Sequence, residues 1–232
     1  MTSLSVLMPV MNERGTVEEA IDRVLGADLP VDDTELIVVD DGSTDGTAEL
    51  LRRRAWPDAV RLVRHERNRG KGVALRTARE YVQGDYVAVM DADLEYDPMD
   101  IGKLLQPLMA GEAEVVFGTR SFGSHTSYSF WYVVGNKLVT LVANVLYNSW
   151  LSDIMTCHKA MPAPLFRSLA LTADGFDIEP EMTARVLKRG IRVFEVPISY
   201  RARGREEGKK LTGLDGVRVV ARLVRCRLDG RA

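Results

Sequence analysis

The fold is decided by residues 4–54, which read LSVLMPVMNERGTVEEAIDRVLGADLPVDDTELIVVDDGSTDGTAELLRRR. Two short apolar runs in this stretch, Leu4–Val10 and Glu35–Val39, have the length and composition of β-strands. Each is followed by a segment with helical periodicity, Thr16–Leu25 and Ser43–Arg54. Continuous apolar strands that alternate with helices are typical of βαβ units, whose parallel sheet is covered on both faces. We therefore predict an α/β fold with a mostly parallel central sheet flanked by helices.

The same alternation continues along the rest of the chain. Further strand patterns lie at Val60–Val63, Tyr86–Met90, Val115–Phe117 and Arg192–Ser199. Further helix patterns lie at Gly72–Val82, Asp100–Ala110, Phe176–Arg189 and Leu214–Leu228. In the last helix, one face is expected to carry Arg218, Arg222 and Arg225, and the opposite face Val217, Val220 and Val224. We expect one main domain over residues 1–212 and a C-terminal basic amphipathic helix over residues 213–232.

Composition and charge restrict the class of protein. Hydrophobic residues make up 46% and charged residues 28%, which is ordinary for a soluble globular protein. The sequence opens without a secretory signal pattern, and two cysteines are too few for a disulfide framework, so a cytosolic compartment is expected. From Arg185 to the end there are 14 Lys/Arg against 5 Asp/Glu, which leaves +9 there and −11 in residues 1–184. This predicts a surface for phosphates or an anionic membrane, or a solvated basic tail.

Residues 128–151 form a strongly apolar part of the chain, and Lys137 is their only charged residue. Polar residues nevertheless recur there at every fourth position, namely Asn136, Thr140, Asn144 and Asn148. Because this spacing places them on one face of a helix, we expect an amphipathic helix over Tyr128–Leu151 rather than a membrane span. It would lie at an interface or pack on the core.

Acidic residues follow three of the predicted strands. Glu13 follows the first, Asp40 and Asp41 follow the second, and residues 91–95 (Asp-Ala-Asp-Leu-Glu) follow the fourth. Ligands of open α/β sheets bind beyond the carboxyl ends of the strands, so these groups should converge at one edge. Carboxylates that converge without a partner would repel one another, which predicts a divalent cation or the hydrogen-bond donors of a ligand there.

The spacing of Asp91, Asp93 and Glu95 suggests a metal site. A locally extended backbone would point these alternate side chains the same way. Mg²⁺ or Mn²⁺ is usually held by one or two carboxylates with phosphates and water, and would act as a Lewis acid on a departing diphosphate. The alternative is structural, with Asp93 or a neighbour capping the helix that starts near Asp100 or forming an Asx-turn.

A nucleotide is the second ligand expected at this edge. Asp40 or Asp41 can accept the ring N–H of a nucleobase, whereas Ser43 or Thr44 is expected to cap the following helix. Lys71 either reaches the nucleotide or stays solvated. The glycine patterns of dinucleotide-binding and P-loop folds are absent from the sequence, which excludes two common schemes of phosphate binding.

Several motifs, taken together, are similar to those of a known family. The main motifs are Pro9-x-x-Asn12-Glu13, Val39-Asp40-Asp41-Gly42-Ser43-x-Asp45-Gly46-Thr47 and Asp91-Ala92-Asp93-Leu94-Glu95-x-x-Pro98. Supporting matches are Gly118-Thr119-Arg120, Asp153-x-x-Thr156-Cys157-x-Lys159, Phe176-x-x-Glu179-Pro180-Glu181, Glu195-Val196-Pro197-Ile198 and Glu207-Gly208-Lys209-Lys210-Leu211. Over about residues 4–212 the chain resembles the inverting family 2 glycosyltransferases of the GT-A fold. Within them it is similar to the polyprenyl-phosphate (dolichyl-phosphate) mannose and glucose synthases.

The resemblance implies a reaction and a set of site residues. A hexose would pass from a GDP- or UDP-sugar to polyprenyl phosphate, with a donor half at about 1–118 and an acceptor half at about 119–212. The nucleotide would be held by Pro9, Met11, Glu13, Asp40 or Asp41, Lys71 and Asp91. The metal, Mg²⁺ or Mn²⁺, would be held by Asp93 and Glu95. Phosphates would be bound by Arg120, Arg203, Lys209 and Lys210, and the catalytic residues would be Asp91, Asp93, Arg120 and Arg203.

Three positions depart from the family pattern and leave the base and the sugar undecided. Met11 stands where the mannose synthases often have an aromatic residue. Glu95 replaces Gln in the metal motif, and Met155 replaces an acidic residue found in many relatives.

The acceptor decides the mechanism. A lipid phosphate is already anionic and needs cations rather than a base, because two phosphate groups must approach each other; the basic segment 201–210 meets this need. A hydroxyl acceptor needs a general base, for which Asp177, Glu179 and Glu181 are candidates, although acidic residues in a first turn also favour the helix dipole. For a lipid acceptor we expect peripheral contact with the inner face of an anionic membrane, through the helices at 128–151 and 214–228.

Other functions stay possible on sequence alone. The same fold could serve a soluble hydroxyl acceptor, such as a glycan or natural product. A non-catalytic nucleotide-binding or membrane-adaptor protein would not need the intact Asp91, Asp93 and Glu95. A nucleotidyltransferase would need a glycine-rich basic loop after the first strand, which is absent from the sequence. Nucleic acid is not an expected partner, and nothing in the sequence indicates an oligomeric state.

Overall fold

Seven strands form one mixed sheet in the computed structural model, which describes residues 1–123, 130–202 and 213–230. The strands are β1 (Ser3–Val10), β2 (Asp33–Asp40), β3 (Val60–Arg64), β4 (Tyr86–Val89), β5 (Val115–Thr119), β6 (Lys159–Pro162) and β7 (Val193–Pro197). The helices are α1 (Val17–Leu25), α2 (Thr47–Arg53), α3 (Lys71–Arg79), α4 (Met99–Met109), α5 (Phe130–Tyr147), α6 (Ala163–Ser168), α7 (Ile178–Lys188) and α8 (Gly213–Leu228).

The strand order is β3-β2-β1-β4-β6-β5-β7, and most neighbours are parallel. β1 pairs in parallel with β2 and β4, β2 with β3, and β5 with β7. Only β6 is antiparallel among the described strands, to β4 on one side and β5 on the other. The predicted α/β fold with a mostly parallel sheet is therefore confirmed. β6 was not predicted, because it has four residues and begins with a lysine.

Both faces of the sheet are covered, which explains the continuous apolar strand patterns. α3 packs on β1 and β2, and α4 packs on β5 and β6. Consecutive residues of β1, from Leu4 to Met8, are all buried, as expected of a strand with helices on both sides. Register then aligns the strand ends: Val10 lies beside Asp40, and the N–H of Asp41 donates to the carbonyl of Val10. The residues after β1 and β2 consequently meet at one edge.

The start of α2 differs from the prediction. The helix begins at Thr47 instead of Ser43, and its N-cap is Gly46 with φ +99°. The expected capping role of Ser43 or Thr44 is wrong. Ser43 Oγ instead accepts the N–H of Asn12, so this hydroxyl joins the β1 and β2 loops. Gly42, at φ +74°, keeps the intervening loop out of the helical region.

Helices α5, α7 and α8 build a second, smaller apolar cluster beside the sheet. The polar stripe of α5 faces the protein: Thr140 is buried, and Asn144 donates to the carbonyl of Leu151. The apolar face of α5 is the exposed one, with Trp131 76%, Leu138 58% and Val145 74% accessible. α5 is thus amphipathic, as predicted, with its polar side inward. No helix in the described ranges has the length and hydropathy needed to cross a membrane.

The rotation of α8 about its own axis is not one that buries its valine face. Its buried face consists of Val219, Leu223 and Cys226. The valine face of Val217, Val220 and Val224 is not the buried one, because Val217 and Val224 are exposed. Arg222 turns toward the protein and binds the carboxylate of Asp177 at 2.7 Å, so the basic face is not uniformly solvated. The contact with α5 and α7 sets this rotation.

Gly42→Ala should destabilise the protein more than Gly190→Ala. Both glycines have nearly the same left-handed φ, +74° and +75°. Any non-glycine residue costs about 1–2 kcal/mol in that region. A Cβ on Gly42 would also overlap the backbone of Arg67, whereas nothing lies within 4 Å of a Cβ on Gly190. Urea unfolding of both variants would check this; equal losses would show that the Gly42 loop has room to move.

Candidate active site

A cleft of about 260 Å³ opens at the carboxyl edge of the sheet. The expected site residues that line it are Pro9, Met11, Glu13, Asp41, Lys71, Asp91, Asp93, Glu95, Arg120 and Glu179. Three expected residues, Asp40, Asp177 and Glu181, are not among its lining residues. The expected phosphate ligands Arg203, Lys209 and Lys210 lie outside the described residues.

Asp41 lines the cleft and is held by three donors. Its Oδ1 lies 2.6 Å from His65 Nδ1 and accepts the N–H of Arg69, while Oδ2 accepts the N–H of Gly70. Because an ionised carboxylate only accepts, His65 carries a proton on Nδ1. These bonds fix the loop that brings Asn68 to the same cleft.

Asp40 has a structural environment instead. Its Oδ1 accepts the N–H of Ser43, and its Oδ2 lies 3.2 Å from Arg64 Nε. Successive side chains of a strand point to opposite sides, so Asp40 and Asp41 cannot both face the cleft. Of this pair, Asp41 is the nucleoside candidate.

Alternating charges line the floor of the cleft. Lys71 Nζ lies 2.7 Å from Asp91 Oδ1 and 3.0 Å from Glu179 Oε1. The other oxygen of Glu179 lies 2.8 Å from Nζ of Lys159, which is completely buried. Burial alone would lower the pKa of Lys71, but the neighbouring acidic groups, of which Asp91 contributes most, together outweigh it and hold this pKa well above the usual value. Lys71 therefore stays cationic and is not solvated.

Residues 92–95 form a turn, so the expected extended backbone is wrong. Leu94 has φ +60°, and Asp93 Oδ1 accepts the N–H of Glu95. This bond is the Asx-turn considered from the sequence. Tyr200 holds the turn from outside by donating its hydroxyl to Glu95 Oε2, and the N–H of Arg201 donates to the carbonyl of Glu95. Asp93 and Glu95 still line the same cleft.

Two carboxylates on one turn fit a metal that arrives with a phosphate ligand. Among the described residues, no group of three or more His, Cys, Asp or Glu could hold a metal by itself. Mg²⁺ and Mn²⁺ need only one or two carboxylates when phosphate oxygens and water complete the octahedron. Asp93 and Glu95 meet that smaller requirement.

Arg120 forms the cationic wall of the cleft. Its Nε and Nη2 donate to the two oxygens of Asp153 at 2.6 and 2.9 Å, and its guanidinium lies 4.9 Å from the ring centre of Tyr200. Burial raises the pKa of Asp153, but Arg120, with a further hydrogen bond from Asn136, outweighs it and lowers this pKa to about 2. The pair is therefore ionised at neutral pH, and Arg120 has a fixed position.

The carboxylates of α7 are all engaged. Glu179 lies between two lysines, as described above. Glu181 is buried and accepts three hydrogen bonds from Thr172 and Ala173. Asp177 pairs with Arg222 at 2.7 Å. Each of these candidate bases therefore already has a hydrogen-bond donor or a cation as a partner, which a hydroxyl acceptor would have to displace.

Several residues of the site were not predicted as such. Tyr96, Tyr200, Asn68, Cys157 and Phe176 line the cleft, and Asp153, Lys159 and His65 hold its lining residues. Asp153, Cys157 and Lys159 belong to one of the supporting motifs, which was the available signal. The tyrosines and His65 had none, because their roles depend on contacts between distant segments.

Comparison with known proteins identifies a family that this chain matches. The family model described as Glycosyl transferase family 2 matches residues 5–168. Glycosyltransferase AglJ of Haloferax volcanii is 32% identical over 220 residues, which cover 93% of this chain and 68% of AglJ. The dolichol-phosphate mannosyltransferase of Pyrococcus furiosus is 28% identical over 228 residues, which cover 96% of this chain and 64% of that protein. The chain thus spans about two thirds of the length of each.

A solved structure has the same fold. Glucosyl-3-phosphoglycerate synthase of Mycobacterium tuberculosis, crystallised with Mn²⁺, UDP and glucosyl-3-phosphoglycerate, superposes with a TM-score of 0.73 at 25% identity. The match covers 97% of this chain and 80% of the synthase. The predicted GT-A fold is therefore confirmed.

His158 should make stability fall below neutral pH. It is buried against Tyr96, with ring centres 4.6 Å apart, and burial lowers its pKa from the usual 6.5. The unfolded chain therefore takes up a proton at a higher pH than the native state. The contribution is complete well above pH 6.5 and is lost as the pH falls below it, with a slope of up to about 1.4 kcal/mol per pH unit.

Urea unfolding at pH 7.5 and 5.5 would measure this contribution. We expect His158→Gln to lose less stability than the wild type between the two pH values. Parallel losses in both proteins would contradict a neutral, buried His158.

Proposed function

Because this chain belongs to glycosyl transferase family 2, we propose that it transfers a hexose from a GDP- or UDP-sugar to polyprenyl phosphate, with inversion at the anomeric carbon. The observation that carries this proposal is the engagement of Glu179, the α7 carboxylate in the cleft, by Lys71 and Lys159. Both oxygens of this carboxylate lie against ammonium groups, so a hydroxyl acceptor would have to displace one of them to reach it. An acceptor phosphate, already anionic, needs no such base. The name of the Pyrococcus furiosus relative agrees with this acceptor class.

The donor would occupy the half of the chain at about 1–118. Pro9, Met11, Glu13 and Asp41 would surround the nucleoside, since all four line the cleft. Lys71 would face the diphosphate, because its ammonium already lies among the acidic groups at the cleft floor. Asp91 would then hold Lys71 at this position and line the sugar site.

Asp93 and Glu95 would hold Mg²⁺ or Mn²⁺ together with the diphosphate. When bound, the metal would supply Lewis-acid stabilisation of the leaving diphosphate. Tyr200 would keep Glu95 in place through its hydroxyl. The relative crystallised with Mn²⁺ and UDP supports this cofactor class.

The acceptor would occupy the half at about 119–212. One oxygen of its phosphate would form a bond to the anomeric carbon as the bond from that carbon to the diphosphate breaks. Arg120 would orient the attacking phosphate, and we propose Arg203, Lys209 and Lys210 as further cationic ligands, although they lie outside the described residues. Cations are required because two anionic groups must come close together.

We also propose that α5 contacts an anionic membrane from which the lipid acceptor is taken. Its exposed apolar side chains include Phe130, Trp131, Leu138, Leu141 and Val145. Exposed Arg225 and Arg227 lie in the last turn of α8, which packs on α5, and Arg227 lies over the ring of Tyr147. An apolar face with cations beside it suits the boundary of an anionic bilayer, where each cation contributes about 1 kcal/mol.

The reaction can be tested directly. Purified protein with Mn²⁺, radiolabelled UDP- or GDP-hexose and polyprenyl phosphate in detergent should form a chloroform-soluble, mild-acid-labile product. Asp93→Asn should lower kcat about 100-fold or more, because a metal ligand is weakened. Asp97→Asn is a matched control, since this exposed side chain accepts the N–H of Met99 within the same segment and is not among the described residues that line the cleft. A water-soluble labelled product would identify a hydroxyl acceptor, and unchanged turnover of Asp93→Asn would remove the metal assignment.

Membrane contact can be tested by vesicle co-sedimentation. Leu138→Ser with Leu141→Ser should weaken binding to vesicles containing phosphatidylserine about tenfold or more, since each leucine loses part of a transfer energy of about 1.5–3 kcal/mol. Leu62→Ser, an exposed apolar residue on β3, should leave binding unchanged. Equal binding of all three proteins, or no binding of the wild type at low salt, would contradict contact through α5.

A further inference from the structure

The inward face of α5 holds a buried ion pair at the cleft. Asn136 Nδ2 donates to Asp153 Oδ1 at 3.0 Å, and the same carboxylate receives the two N–H bonds of Arg120. Asp153 is 1% exposed, so water does not compete for it. The orientation of the Asn136 amide follows from this contact, because a carboxylate can receive only its N–H side.

The amide of Asn136 is retained at a cost. Its Oδ1 is buried and has no hydrogen-bond partner among the described residues. A buried, unpaired amide oxygen costs about 1–3 kcal/mol. An apolar side chain would fill the same space without this cost, so packing alone does not account for asparagine here. The N–H bond to Asp153 does account for it.

Contacts continue from Asp153 to the proposed metal ligands. Arg120 lies over the ring of Tyr200, and the hydroxyl of Tyr200 donates to Glu95. Asn136 therefore stands at the outer end of a continuous series of side chains that reaches the reaction centre. Lys137, the next residue, donates to Ser121 Oγ and to the carbonyl of Ser152, which strengthens the attachment of α5 to the Arg120 loop.

We propose that Asn136 is a positioning residue that orients Arg120 toward the acceptor phosphate by fixing the carboxylate of Asp153. This inference rests on the proposed function for the identity of the acceptor, but not for the geometry. Arg120 donates Nε–H and one Nη2–H to the two oxygens of Asp153. Because these two bonds fix the plane of the guanidinium, they also set the direction of its remaining N–H groups. Asn136 belongs to α5, whose other face is exposed and apolar. Because Asn136 binds Asp153, the position of α5 on the protein and the orientation of Arg120 depend on each other.

Asn136→Leu should raise KM for polyprenyl phosphate about tenfold and leave KM for the sugar nucleotide within about twofold. The Leu side chain keeps the volume but cannot donate, so Asp153 and Arg120 lose one restraint. Asn144→Leu is the matched control: Asn144 has the same residue type on the same face of α5, and its partners are Ser149 and Leu151 rather than Asp153. It should leave both KM values unchanged. Asn136→Gln, which keeps the amide donor, should recover part of the loss.

A second measurement does not depend on activity. The Nε–H of Arg120, assigned by its absence in Arg120→Lys, should exchange faster with solvent in Asn136→Leu than in the wild type or in Asn144→Leu. Unchanged exchange would overturn the positioning role, as would equal changes in the KM of donor and acceptor. If the wild type forms no lipid-linked product while the exchange rate still rises, the proposed acceptor is wrong and the positioning role stands. If Asn136→Leu does not fold, Asn136→Asp, which places a like charge against Asp153, should give the same exchange result.

Discussion

Alternating charges connect the two halves of the chain beneath the cleft, from Lys159 through Glu179 and Lys71 to Asp91. These residues come from β6, α7, α3 and the end of β4, so the arrangement exists only when the whole sheet is assembled. Each charge is compensated by its neighbours in a region with little water. Loss of one partner leaves a buried charge unpaired, which typically costs about 3–5 kcal/mol. The position of Lys71 in the cleft, and with it the proposed donor site, depends on this arrangement.

Local sequence pattern was sufficient to predict most helices and strands, but it was insufficient to predict the geometry of the cleft. The apolar runs of β1 and β2 identified a buried parallel sheet, because strands covered on both faces need no alternation. For residues 91–95 the sequence left an extended backbone and an Asx-turn open, and the structure has the Asx-turn of Asp93. The contact of Tyr200, which holds Glu95 from 105 residues away, has no signal nearby in sequence. Strand β6 was missed for a related reason: the charge of Lys159 is neutralised by Glu179, which comes later in the chain.

Periodicity also does not predict which face of a helix points into the protein. The polar face of α5 was predicted correctly from the spacing of its polar residues. Such a face can nevertheless point inward when its groups find hydrogen-bond partners. Asn136 and Asn144 find such partners in the segment 151–153, and the apolar residues are left on the outside. In α8 the packing against α5 and α7 likewise turns Arg222 inward, where Asp177 pairs with it. Partners in the tertiary structure, rather than the helix itself, decide which face is buried.

The charges of the cleft favour one kind of chemistry over another. Proton abstraction from a hydroxyl requires a carboxylate whose neutral form is accessible, and this is achieved by burial without a cation nearby. The two oxygens of Glu179 instead lie 3.0 Å from the ammonium of Lys71 and 2.8 Å from that of Lys159. Positioning of an anion requires fixed cations, and Arg120 is fixed by Asp153 on one side and by the ring of Tyr200 on the other. An ion-paired carboxylate beside an oriented guanidinium agrees with the proposed anionic acceptor, which needs fixed cations and no general base.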